Sequence, residues 1–152
     1  MIEVTGNLWE YPAHWLCITT NPIINQQGLA VMGRGVALQA AQRYPDIRKR
    51  FAEKIQCNGN TVQGICRLPT DQLLLSFPVK HHWRDIASLE LISYSAQTLK
   101  ERWEVHGDGC TVAIPKPGCG NGGLYWPDVR EEISPWLTSD QFHIIDLPRL
   151  NS

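Results

Sequence analysis

Two glycine-bearing segments could bind an anion through the main chain alone. Pro117-Gly118-Cys119-Gly120-Asn121-Gly122-Gly123-Leu124 follows the apolar run Cys110-Thr111-Val112-Ala113-Ile114 and precedes Pro127-Asp128, residues that open helices. Met32-Gly33-Arg34-Gly35-Val36 likewise leads into a helical pattern. Glycine carries no Cβ, so consecutive N–H groups can converge on one anion, and the helix that follows adds the partial positive charge of its N-terminus. Two such cradles could clasp a pyrophosphate from both sides. Charge-assisted hydrogen bonds contribute about 1.5–3 kcal/mol each, so a handful would offset the entropy of association and leave an affinity near −8 kcal/mol, about micromolar. Glycines that merely serve tight turns would explain one such loop but explain two helix-leading loops poorly.

The polar segment Pro78 to Asp85 follows the apolar run Leu73-Leu74-Leu75-Ser76-Phe77, and by residue type alone its Lys80 reads as a surface lysine among polar neighbours. Cys119 at a helix start could be an activated thiolate, but the C-x₅-R pattern of a cysteine phosphatase would need arginine at 125, where Tyr125 stands, so a small packed residue is expected. His81 and His82 are adjacent and point apart in extended chain, while His14, His106 and His143 have no ligand spacing, so no metal site is expected. Trp83 could stack on a base or anchor its loop. Gly118-x-Gly120-x-x-Gly123 satisfies the dinucleotide fingerprint, and Asp146 mimics its ribose-binding acid. With six residues after Asp146 there is no second mononucleotide half, and a dehydrogenase is not expected.

The elements that must position these residues alternate along the chain. Strands are expected at Ile2 to Thr5, Trp15 to Thr20, Val62 to Arg67, Leu73 to Phe77, Cys110 to Ile114 and Phe142 to Leu147, with Gly6-Asn7-Leu8 as a turn. Helices are expected from Val36 to the interruption at Pro45, from Asp46 to about Ile55, from Ala87 to Trp103 and from Pro127 to about Trp136. In the third of these Ile92, Ala96, Leu99 and Trp103 recur as one buried face requires. Such alternation predicts an α/β fold whose central, mixed but largely parallel sheet is covered by helices on both faces. Ligands of open α/β sheets sit beyond the carboxyl ends of the strands, so the segments after the strands, at 6–8, 21–36, 80–85 and 117–124, are expected around one cleft.

Composition narrows the classes. With 152 residues and 43% hydrophobic content the chain suits one domain spanning 1–152. A formal net charge of −1 argues against bulk nucleic-acid binding, and Arg48-Lys49-Arg50 reads as a solvated helix face. Five cysteines without a C-x-x-C pair, and Glu3 where a signal peptide would be basic, fit a cytoplasmic protein with free thiols. No apolar segment approaches the roughly 20 residues of a membrane span. A monomer without membrane association is expected.

Gly6-Asn7-Leu8, Ile18-Thr19-Thr20-Asn21, Met32-Gly33-Arg34-Gly35-Val36-Ala37 and Pro117-Gly118-Cys119-Gly120-Asn121-Gly122-Gly123-Leu124-x-Trp126, in that order, resemble a macrodomain, the three-layer α/β/α module that binds ADP-ribose. The resemblance covers nearly the whole chain and is nearest to the branch containing terminal ADP-ribose protein glycohydrolase and the DNA ADP-ribosyl glycohydrolase antitoxins. It implies that Asn7, where the family usually has an acid, accepts from the adenine amino group, that the Leu8 N–H meets the base, and that Leu147 packs nearby. It implies Asn21 on the distal ribose, and Gly33, Arg34, Gly35 and Val36 facing Gly118, Cys119, Gly120, Asn121, Gly122, Gly123 and Leu124 around the diphosphate and that ribose. Lys80 matches the catalytic lysine of the glycohydrolases. The aspartate that assists it in the terminal glycohydrolase falls on Gly122, so that pair is absent, while the DNA-directed branch has a Gly-Cys-Gly-Asn-Gly-Gly loop like this one. The implied function is removal of ADP-ribose from modified protein or nucleic acid, without cofactor or metal. A non-catalytic reader of ADP-ribose, or a phosphatase of ADP-ribose 1″-phosphate, would use the same cleft.

Overall fold

The computed structural model describes residues 1–148. Six strands form one sheet: β1 (Ile2–Thr5), β2 (Trp15–Thr20), β3 (Gln63–Arg67), β4 (Leu73–Pro78), β5 (Val112–Pro115) and β6 (Phe142–Asp146). Their order is β1-β6-β5-β2-β4-β3, with every neighbouring pair parallel except β3–β4. Strand β2 lies centrally, in register with β4 from Trp15↔Leu73 to Thr20↔Pro78. Its side chains alternate between two cores: Leu16 and Ile18 enter one, Trp15 and Cys17 the other. A strand buried on both faces is apolar nearly throughout, which is why β4 reads as an apolar run broken only by Ser76, whose hydroxyl donates to the Thr61 carbonyl.

Four helices cover these faces. α1 (Gly35–Arg43) and α2 (Ile47–Asn58) close the first core with Val36, Ala40, Ile47, Phe51 and Ile55, and α3 (Leu89–His106) and α4 (Trp126–Ile133) close the second with Ile92, Ala96, Leu99, Val129 and Ile133. Each boundary has a local cause. Tyr44 is extended at φ −129° because Pro45 disfavours helix in the residue before it. Gly59, at φ 81°, ends α2. The Ser88 hydroxyl accepts from Leu91 N at 3.2 Å and starts α3, and Pro127 sits in the first turn of α4.

The three-layer α/β/α arrangement expected from the sequence is present. Its details differ where capping wins over periodicity. α3 begins at Leu89 rather than Ala87, because Ser88 caps it, and runs on to His106 before Gly107. α4 ends at Ile133, three residues before Trp136, because Pro135 cannot continue it. The expected turn at Gly6-Asn7-Leu8 continues into a single 3₁₀ turn, Leu8–Glu10. β3 and β4 form an antiparallel hairpin, in which Asp71 holds the left-handed conformation (φ 73°) that aspartate tolerates better than most residues. No helix among the described residues is long and apolar enough to cross a membrane.

Candidate functional site

Parallel strands end on the same side, so the segments after β2, β4, β5 and β6 converge. They enclose a cleft of about 380 Å³. Its lining includes Thr20 and Asn21 after β2, Met32 to Ala37 leading into α1, Val79, Lys80 and Trp83 after β4, Pro115 to Gly122 in part after β5, and Leu147 after β6. Strand order therefore sets the order along the cleft, from Leu147 at one end to Lys80 and Trp83 at the other.

The two glycine segments meet across this space: a Cβ on Gly35 would lie 3.4 Å from the Asn121 side-chain amide. Among the described residues no acceptor takes the N–H of Gly33, Arg34, Gly35, Val36, Gly118, Gly120, Asn121 or Gly122. For residues 35 to 37 the cause is helix geometry, since the first bond of α1 runs from Leu38 N to the Arg34 carbonyl at 3.2 Å. In the second segment the turn is closed by Cys119 N to the Lys116 carbonyl at 3.4 Å, Leu124 N to the Gly118 carbonyl at 2.9 Å and Gly123 N to the Gly120 carbonyl at 3.2 Å, and the amides of Gly120, Asn121 and Gly122 remain free among the described residues. Two groups of unpaired donors bordering one cleft form a receptor for a polyanion. Arg34 has no carboxylate partner among the described residues, and Lys116 is held by Asp146 at 3.5 Å.

Lys80 stands over the second segment. Its ammonium donates to the carbonyls of Asn121 at 3.4 Å and Trp83 at 3.3 Å, and its own carbonyl accepts from the Asn60 amide at 3.2 Å. An ammonium has three donors, so one remains for a ligand. Trp83 is 39% exposed at the rim, stacked on His82 at 5.2 Å with the Arg84 guanidinium 4.6 Å from its ring centre. Any side chain at 122 would strike the Gly118 carbonyl, so this loop has no room for an acidic helper at that position.

Not every expected site residue reaches the cleft. Asn7 and Leu8 lie outside its lining: the Asn7 side-chain Oδ1 caps the 3₁₀ turn by accepting from Trp9 N at 3.0 Å, and Leu8 is fully buried in the first core. Cys119, Gly123 and Leu124 also lie outside it. Cys119 and Leu124 pack on the second core, and burial pushes the Cys119 thiol up to about 11 despite the nearby Lys116 charge. Such a thiol is a poor nucleophile. Asn21 lines the cleft, but its side chain staples the loop after β2, donating to the Val31 carbonyl at 3.1 Å and accepting from Ile23 N at 2.9 Å. Thr20, Pro115 and Lys116 line the cleft without having been given a role from the sequence. Their position at strand ends was the available signal. Among the described residues no three His, Cys, Asp or Glu side chains converge as a metal site would require.

No family model matches the chain. A DNA ADP-ribosyl glycohydrolase of Thermus aquaticus is 32% identical over 139 residues, which are 88% of this chain and 37% of that protein. The chain thus spans little more than a third of that relative's length. Among solved structures, the macrodomain of Mycobacterium tuberculosis DarG superposes with a TM-score of 0.79 at 25% identity, covering 98% of this chain and 97% of the other. The macrodomain of Thermus aquaticus DarG gives 0.74 at 29% identity, covering 97% of each.

Proposed function

Since the chain is a macrodomain resembling the branch that contains the DNA ADP-ribosyl glycohydrolases, we propose that it binds ADP-ribose along the strand ends and hydrolyses the glycosidic bond joining ADP-ribose to a DNA base. In this reading the adenine lies toward Leu147, where Asn7 can still offer a second lone pair, and the diphosphate lies between the free amides of residues 33–36 and those of 118 and 120–122. The distal ribose then reaches the Lys80 end. The C1″–N bond breaks as water adds to C1″. The free N–H of Lys80 stabilises charge developing on the departing base, which finally takes up the proton that water releases.

The observation that carries this reading is the Lys80 ammonium, hydrogen-bonded to the Asn121 carbonyl at the end of a cleft bordered by two sets of unpaired amides. A single-stranded oligonucleotide bearing ADP-ribosylated thymine or guanine should release free ADP-ribose on incubation with the protein. A peptide with ADP-ribosylated glutamate, run in parallel, separates DNA-directed from protein-directed activity. Binding to both without release would make the protein a reader, and absence of binding to free ADP-ribose would end the proposal. The same reading has the protein act as a cytoplasmic monomer, which light scattering on the purified protein and its fractionation from cells would check.

A further inference from the structure

The net charge of −1 conceals a segregation of charge across the sheet. Residues 34–85, which supply α1, α2, β3, β4 and the segment carrying Lys80, hold nine Lys and Arg against four Asp and Glu; residues 108–148, which supply β5, α4 and β6, hold two against six. In the strand order β1-β6-β5-β2-β4-β3 the two sets fall at opposite ends, so the β3 edge is the positive one. Along that edge Lys54 from α2, Arg67 from β3 and Arg102 from α3 line a groove of about 380 Å³ that has no Asp or Glu in its lining. Among the described residues Lys54 and Arg102 have no ion-pair partner, while Arg67 is held by Asp71 at 3.7 Å. Cations brought from three elements to one open groove, without counter-charges between them, attract a polyanion.

We propose that this groove holds the phosphates of the DNA strand whose ADP-ribosylated base enters the cleft; this rests on the reading of the cleft as the site of glycosidic hydrolysis. The groove starts where the reacting end of the cleft stops. Asn58 and Gln63 belong to its lining and are hydrogen-bonded at 2.8 Å, and from the loop between them Asn60 donates to the Lys80 carbonyl at 3.2 Å. β3 then runs antiparallel to β4, away from Lys80, and carries the groove from Gln63 to Arg67 over about 13 Å, a path for a few nucleotides. As the last strand of the sheet, β3 also offers the N–H groups of its outer side, donors that phosphates accept. A partner β-strand fits this edge less well, because the register of β3 shifts at a bulge between Gly64 and Cys66 and cationic side chains border it.

The test compares an ADP-ribosylated single-stranded oligonucleotide with the ADP-ribosylated mononucleotide, which has no flanking phosphodiesters. The proteins are wild type, Lys54→Gln/Arg102→Gln, and Arg43→Gln/Lys49→Gln, which removes two charges outside the groove. Wild type should show the lower KM for the oligonucleotide. Lys54→Gln/Arg102→Gln should raise that KM about 10-fold at low salt and flatten the slope of log(kcat/KM) against log[salt] by about 1.4, the contribution of two phosphate contacts on a single strand. Its turnover of the mononucleotide should stay within about twofold of wild type, and Arg43→Gln/Lys49→Gln should stay within about threefold on both substrates. Equal losses on both substrates, equal losses in both variants, or a wild type that treats the two substrates alike would overturn the groove. So would displacement of the oligonucleotide by polyglutamate as effective as that by unmodified oligonucleotide of equal charge, which would give the groove to an acidic protein. Should wild type release ADP-ribose from neither substrate, the proposed function falls instead. Fluorescence anisotropy of a labelled unmodified oligonucleotide then still decides the groove: binding weakened about 10-fold in Lys54→Gln/Arg102→Gln supports it, and unchanged binding overturns it.

Discussion

At Gly33 an added Cβ would meet nothing within 4 Å, whereas at Gly122 it would strike the Gly118 carbonyl and lie 2.7 Å from the Gly118 Cα. The segment before α1 is exposed and its glycines border open cleft. The segment after β5 is wedged: Gly118, at φ 76°, would press a Cβ to 2.8 Å from Ile92 and 3.0 Å from Ala87 and Leu124. Two loops that present similar free amides are thus built under different constraints. The first leaves space at Gly33 and needs glycine at Gly35 for its φ of 57°, whereas the second needs glycine at 118 and 122 because its own fold leaves no room. Lys80 hydrogen-bonds to the second, through Asn121, so its ammonium is held by the more tightly packed loop.

The largest expected effect tests that anchoring. Lys80→Ala removes the donor held over the wedged loop and should lower ADP-ribose release by about 10²–10⁴-fold, the range for a positioned proton donor. ADP-ribose affinity should change by no more than about threefold, because the backbone amides remain. Single-turnover assays with titration calorimetry separate the two quantities, and unchanged turnover removes Lys80 from the mechanism.

The steric contrast itself is tested by Gly122→Ala. Its Cβ meets backbone that cannot rotate away, so the variant should lose about 3 kcal/mol or more of stability, seen as a lower midpoint in urea. A wild-type midpoint would mean that the second loop is as adaptable as the first.

Cys119 reports on the same wedge from the inside. With its thiol raised to about 11, against an ordinary value of 9.0, the thiolate fraction at pH 8 falls by about 100-fold, and alkylation by iodoacetamide should be slowed accordingly relative to the urea-unfolded chain. The folded state holds this proton more tightly than the unfolded chain. Its contribution to stability is therefore intact below pH 9 and lost as pH rises from 9 toward 11. Mass spectrometry of alkylated peptides and urea melts across that range check both statements.

How much of this was legible follows from what each residue answers to. The sheet, its helices and the meeting of the glycine loops rest on local periodicity, caps and the rule that strand ends carry the site, and all three are written in short stretches of chain. The roles of Asn7 and Asn21 are not. Both are amides followed two residues on by a backbone N–H that they cap, at Trp9 and Ile23, a local pattern that competes with ligand binding and that the resemblance alone passes over. The inward packing of Cys119 depends instead on α3 lying behind the loop, a contact made across more than twenty residues of chain.

The smallest effect belongs to the open loop and isolates ligand from fold. Gly33 has ordinary backbone geometry and free space around it, so Gly33→Ala should leave stability unchanged or raise it by about 0.4–1 kcal/mol through a less flexible unfolded chain. Any penalty must then come from the ligand. If a phosphate lies against the Gly33 amide, the new methyl holds it off, and ADP-ribose affinity should fall by about 10-fold while the Tm stays level or rises. Gly122→Ala should do the reverse, losing stability first. A Gly33→Ala variant that binds as wild type would take the diphosphate away from the Gly33 amide and leave it on the wedged loop.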